Sequence, residues 1–173
     1  MARGVCLLYR VAVLEPVSGR VTALIEDWLV GRGDGLSLVL TRGECPHCFS
    51  GEYDLFVLAP ADGTFKGPDP LHNIRCKALL APSDRGAEVL GIQSKWVVSY
   101  GLAVRDSLTI SSLEPDLAVL ALQREIPTLR GTVVERQELP LPIPPGTGAG
   151  GVMALYGSLL ILGVPVEELA AVL

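Results

Sequence analysis

Residues 11–33, VAVLEPVSGRVTALIEDWLVGRG, constrain the fold of this chain more than any other stretch. Four apolar residues (11–14) make a strand-length run that enters a tight loop around Gly19. Beyond it, Val21, Leu24, Ile25, Trp28 and Leu29 recur at spacings of three and four, which puts them on one face of a helix. Strand, glycine loop and amphipathic helix are the layout of a phosphate-binding unit. In such a unit glycines let backbone N–H groups approach the phosphates, a Lys pairs with them, and a Ser or Thr hydroxyl holds magnesium. Here Arg20 stands at the Lys position and Val21 at the hydroxyl position. The stretch points to a fold more firmly than to an activity.

A length of 173 residues suits one domain, which buries roughly 70% of its unfolded surface. With 49% hydrophobic residues the core is well supplied. A net charge of −5 argues against nucleic acid as a partner, because gripping a phosphate backbone needs a basic face. The N-terminal residues lack the basic region, long apolar run and cleavage site of a secretory signal, so a cytoplasmic location is expected. Cys6, Cys45, Cys48 and Cys76 are then thiols, a redox pair or metal ligands, not a disulfide framework. Residues 146–166 carry no charge, yet they open with GTGAGG and meet Pro165. The helical part, 152–162, would be about 16 Å long, half of a ~30 Å bilayer core. A buried helix is expected, not a membrane span, with a contribution to self-association as a homo-oligomer.

Strand signals fall at 11–14, 37–40, 55–59, 78–81, 96–100, 107–112, 117–123 and 132–139. Helix signals fall at 19–30, near 70–74, near 84–90, at 152–162 and at 166–172. LFVL, ALLA and WVVSY are continuous apolar runs, as parallel strands covered on both faces require. Residues 109–138 alternate and suggest a hairpin or meander. Residues 140–151 form a Pro/Gly linker into a last helical hairpin. The expected architecture is a single α/β domain over 1–173: a layered, mostly parallel sheet with flanking helices.

The order of these elements resembles the central, ATP-binding domain of the Mur ligases, which add amino acids to peptidoglycan precursors. Three segments carry the resemblance. VAVLEPVSGRVTALIEDWLVGRG is similar to the family's strand, G-T-N-G-K-T-T loop and helix. KALLAPSD with SKWVVSYGLAVRDSLTISSL is similar to its N-x-D-D strand, V-x-T/S-x-G strand and following hairpin. LPLPIPPGTGAGGVMALYGSLLILGVPVEELAAVL is similar to its P-G loop, Ala-rich helix, Leu-Gly turn and final helix. The resemblance implies a bacterial protein with a P-loop-like topology and a nucleotide at the first loop. The ligases' N-terminal substrate domain and C-terminal amino-acid domain have no counterpart in the match.

Departures from the family pattern weaken the activity it implies. GTNGKTT becomes Pro16-Val17-Ser18-Gly19-Arg20-Val21-Thr22. Pro16 has no N–H to offer, and Glu15 puts a negative charge beside the site. Arg20 suits phosphate geometry; Val21 cannot hold magnesium, and Thr22 is one residue away. The family's metal-binding Glu falls on Ala59, with Asp62 the nearest acid, and its Asn before the Ala-rich helix finds only Gly and Ala. Ser18, Gly19, Arg20 and Thr22 thus remain as a residual anion or nucleotide site, without magnesium-dependent ATP hydrolysis.

Cys45-Pro-His-Cys48 is the sharpest local motif. Its C-x-x-C spacing suits a redox disulfide or half a zinc site, and the tetrapeptide is similar to the active site of oxidising thioredoxin-fold enzymes. No helix signal follows it to lower a thiol pKa. With His72 and Cys76 downstream, Cys45 and Cys48 would complete a tetrahedral zinc set, His47 being an alternative to His72. Asp62, Lys66 and Asp69 lie in one polar loop, read as a solvated face.

The leading expectation is a non-catalytic binding protein with a degenerate nucleotide loop, no required cofactor, and a protein partner or a small nucleotide- or cell-wall-related ligand. One alternative is an ATP-dependent ligase or phosphotransfer enzyme using Arg20, Thr22, Asp62 and Asp84. The other is a zinc or thiol module on Cys45 and Cys48.

Overall fold

Ten strands and three helices are traced by the computed structural model, which describes residues 7–30, 36–61 and 73–170. In chain order they are β1 (Leu7–Leu14), α1 (Val21–Leu29), β2 (Leu36–Gly43), β3 (Gly51–Leu58), β4 (Ile74–Pro82) and β5 (Gln93–Tyr100). Then come β6 (Leu108–Leu113), β7 (Leu117–Leu122), β8 (Ile126–Pro127), β9 (Val133–Val134), β10 (Glu138–Pro142), α2 (Ala149–Ile161) and α3 (Val166–Leu169). Eight strands form one sheet in the order β10-β7-β6-β5-β4-β3-β1-β2, and β8 and β9 form a small ribbon. The pairs β1–β2, β1–β3, β3–β4, β4–β5 and β5–β6 are parallel; β6–β7 and β7–β10 are antiparallel. The α/β class and mostly parallel sheet expected from the sequence are therefore present. No helix among the described residues is long and apolar enough to cross a membrane.

The central strands are buried because they are apolar on both faces: Leu55, Phe56, Val57 and Leu58 of β3 are wholly inaccessible. The two faces nevertheless differ. On one, Val11, Val13, Leu55, Val57, Ala78, Leu80, Val98 and Tyr100 pack against α1, α2 and α3 in the larger core. The smaller cluster on the other face, with Ala12, Leu14, Phe56, Leu58, Leu79 and Ala81, contains no residue of the three helices. Loop residues fill it instead: Phe49 after β2, and Val89 and Ile92 before β5. Phe49 stands edge-on to Phe56 with ring centroids 5.1 Å apart and to Tyr53 at 6.4 Å. The expected flanking helices thus lie on one face among the described residues.

One expected helix is corrected, and another falls largely outside the described residues. Near 84–90 only a 3-10 turn, Ser83–Arg85, forms before a run of turns. Between Gly86 and Gly91 there is too little chain to nucleate a helix. Near 70–74, Ile74 opens β4, and residues 70–72 lie outside the described residues. The run expected as one strand at 132–139 is divided, because β9 pairs with β8 while β10 pairs with β7. The linker contributes the rest of β10 and the first turn of α2.

Helix α2 is apolar all round, and residues 152–161 are all buried, as an interior helix requires. It lies against the sheet where Gly157 allows close approach. A Cβ built there would sit 2.7 Å from Leu108 Cδ1 and 3.0 Å from Leu80 Cδ2. Tyr156 donates its hydroxyl to the Pro142 carbonyl at 2.7 Å, tying α2 to the end of β10. Gly157→Leu is expected to destabilise the protein by about 2 kcal/mol through overpacking. Urea denaturation checks this, and an unchanged midpoint would contradict the close packing.

Candidate functional site at the first strand–helix loop

Strand β1 is flanked by β2 on one side and β3 on the other, so chain connections diverge from it in opposite directions. In open α/β sheets the crevice beyond the carboxyl ends of such strands is where ligands bind. Here that crevice is a cleft of about 270 Å³. The loop after β1 (Pro16, Ser18–Val21), the residues after β3 (Ala59–Ala61) and the glycine-rich loop into α2 line it.

The first turn of α1 leaves backbone N–H groups that need a partner, and no side chain at its N-cap, Arg20, supplies one. The partner comes from the end of β1. Glu15 Oε2 accepts the Val21 N–H at 2.8 Å and lies 3.5 Å from the Thr22 nitrogen. Glu15 is only 1% exposed. A carboxylate of the chain itself therefore holds the position where a phosphate would meet this helix, and the helix dipole favours it there for the same reason.

Arg42, near the end of β2, completes the arrangement. Its Nε donates to Glu15 Oε1 at 2.8 Å, and its Nη2 donates to the carbonyls of Pro16 and Val17 at 3.0 and 3.1 Å. One guanidinium neutralises the buried carboxylate and also holds the loop. Gly19 is needed because a side chain would collide: a Cβ there would lie 2.7 Å from Glu15 Oε2 and 2.9 Å from the Pro16 carbonyl. The Glu15 N–H donates to the Gly43 carbonyl at 3.0 Å, which closes the link between the two strand ends.

The residues singled out in the loop have separate environments. Arg20 Nη1 donates to the Pro145 carbonyl, so its guanidinium ties this loop to the one before α2. Gly146 accommodates that contact, since a Cβ there would lie 2.9 Å from Arg20 Nη1. Thr22 is buried, and its Oγ1 has no hydrogen-bond partner among the described residues. Ser18 is exposed at the rim. Ala59 supplies backbone only: its N–H donates to Leu14 at 2.9 Å and its carbonyl accepts Arg85 Nη1 at 2.6 Å. Asp84 is exposed beyond β4. Asp62, Lys66, Asp69 and His72 lie outside the described residues.

Arg42 was not legible from local sequence. Only the parallel pairing that sets Val13 beside Arg42 and Leu14 beside Gly43 brings it to the loop. Asp106 was missed as well. Wholly buried, it accepts from Ser83 Oγ at 3.1 Å and from the Ala103 N–H at 2.9 Å, and so holds the loop after β5.

The three described cysteines separate into two kinds, and Cys6 lies outside the described residues. Cys45 and Cys48 are exposed, the first preceding and the second ending a 3-10 turn (Pro46–Cys48), and have their Sγ atoms 3.0 Å apart. The thiol contact with Cys48 raises the Cys45 pKa, and the same contact lowers that of Cys48. Cys76 is buried on β4 in the apolar cluster that also holds Phe49, and burial pushes its thiol up to about 12. Among the described residues no three His, Cys, Asp or Glu side chains gather into a metal-ligating group.

No protein-family model matches the chain, and no curated protein matches it.

The clamp is testable by a double-mutant cycle. Arg42→Met is expected to cost about 2–3 kcal/mol, because it leaves a buried carboxylate without its counter-charge while Arg42 itself is partly exposed. Combined with Glu15→Gln, the coupling measured by denaturation should be about 1–3 kcal/mol. Additive losses would show that the pair does not act as a unit.

Proposed function

We propose that this chain is a non-catalytic binding protein built on a Mur-ligase-like central domain whose nucleotide loop no longer receives a nucleotide. The carrying observation is the Glu15 carboxylate on the α1 N-terminus. An incoming triphosphate would have to displace a buried, ion-paired group and would face its charge at close range. Arg20, the cation best suited to phosphate, is engaged with the Pro145 carbonyl. Support for the family reading comes from order: β1–α1, β4–β5–β6 and β10–α2–α3 occur where the resemblance puts strand, loop and helix.

The cleft favours a different occupant. Its lining is mostly apolar and small: Pro16, Gly19, Val21, Leu24, Ala59 and the Gly146–Gly151 loop. At about 270 Å³ it falls below the usual range for small-molecule pockets, roughly 300–1,000 Å³. A projecting side chain of a protein partner fits such a notch better than a nucleotide. One observation favours the enzyme alternative: Thr22 Oγ1, next to the family's magnesium position, has no partner among the described residues.

A thermal-shift titration with ATP, ADP and a UDP-sugar, each with and without magnesium, separates the readings. A nucleotide at 100 times its dissociation constant would stabilise the fold by about 2.7 kcal/mol. No shift is expected with any of them. A magnesium-dependent ATP shift would overturn the proposal in favour of the ligase or phosphotransfer reading.

A further inference from the structure

Cys45 and Cys48 take no part in the cleft, and their geometry points to a second, independent site: a reversible dithiol–disulfide pair at the end of β2, closed by exchange with a small-molecule disulfide. In a 3-10 turn, residues three apart lie over one another, and Cys45 and Cys48 have that spacing. The Cys48 N–H donates to the Cys45 carbonyl at 3.1 Å, so the backbone already holds both side chains on one side of the turn. Their Sγ atoms are 3.0 Å apart and share a thiol hydrogen bond in which either sulfur can donate. A disulfide bond is about 2.05 Å long, so closure requires about 1 Å of approach.

The turn is anchored on both sides. Phe49, the next residue, is buried against Phe56 and Tyr53. Gly43, at the end of β2, has no side chain because Cys48 Cβ and the Phe49 ring fill that space, both 2.6 Å from where a Cβ would be. A rigid base with two solvent-facing sulfurs favours reaction with each other over reaction elsewhere. So short a loop gains little from cross-linking, which makes the disulfide easily reduced and the site reversible. Zinc is the less favoured use. Bonds of about 2.3 Å in a tetrahedron would spread the sulfurs to about 3.8 Å and require two more ligands, and the described residues offer no such group.

The exchange balances without a metal. One thiolate of the pair attacks a sulfur of the small disulfide, forming a mixed disulfide and releasing one small thiol. The second thiolate then attacks the protein sulfur of that bond and releases the other small thiol. Two protein thiols are oxidised, one small disulfide is reduced to two thiols, and the protons leave with the released thiols.

The experiment uses the reduced, metal-analysed wild-type chain equilibrated with mixtures of oxidised and reduced glutathione. The mixture is quenched in acid, blocked with maleimide and mapped by mass spectrometry. Cys45 and Cys48 are expected to lose maleimide reactivity together, in a peptide lighter by two hydrogens and free of glutathione, while Cys76 remains a thiol. Cys45→Ser and Cys48→Ser should each stop at the mixed disulfide on the remaining cysteine. Wild type that ends as a mixed disulfide, that stays reduced in excess oxidised glutathione, or that carries stoichiometric zinc on these thiols would overturn the proposal. The decisive readout is on wild type, so it does not depend on the folding of either variant, and none of these outcomes bears on the nucleotide titration.

Discussion

The Glu15 carboxylate joins three pieces of chain that would otherwise have separate ends. It closes β1, caps α1 through the Val21 N–H, and holds Arg42 at the end of β2. Each piece explains another. Gly19 has no side chain because the carboxylate lies against it, and Arg42 reaches the Pro16 and Val17 carbonyls because its charge is already drawn to Glu15. A helix without a local N-cap is stable here because an acid before the loop performs that role. The contact that gives the loop its shape also sets a carboxylate on the N-terminus of α1.

The sheet around this clamp is built asymmetrically. Helices cover one face, with α2 as an apolar rod fitted through Gly157, and loop residues complete the smaller core on the other. The CPHC turn belongs to that second face through Phe49. Its exposed sulfurs therefore sit on a packed base, while the first loop and the α2 loop close over the cleft at the carboxyl ends of β1 and β3. The two candidate sites are distinct in chemistry, one being a small apolar notch and the other a pair of thiols.

Much of the fold was legible because its strands contain unbroken apolar runs, buried on both faces in β3 and the second half of β4, whereas Val97 of β5 is exposed. LFVL, ALLA and WVVSY each fell within an observed strand. The helix expected near 84–90 failed for a local reason: a few helix-forming residues between two glycines cannot offset the cost of nucleation. The strand expected at 132–139 failed for a non-local one, since pairing partners and not propensity divide it. In the candidate site, the departures from a phosphate-binding loop were visible residue by residue. Glu15 could be read as a penalty to phosphate, but not as its replacement at the helix terminus. That role depends on Arg42, which lies 27 residues away and becomes a neighbour only through the β1–β2 register.

Whether a carboxylate of the chain holds the anion position of α1 can be read by NMR. The Val21 and Thr22 backbone amides would be followed while inorganic pyrophosphate is titrated into wild-type protein and into Glu15→Ala. Both amides are expected to stay fixed in wild type and to move saturably in the variant, where the helix N-terminus is open. Saturable movement in wild type, with the same affinity as the variant, would show that the carboxylate does not hold that position.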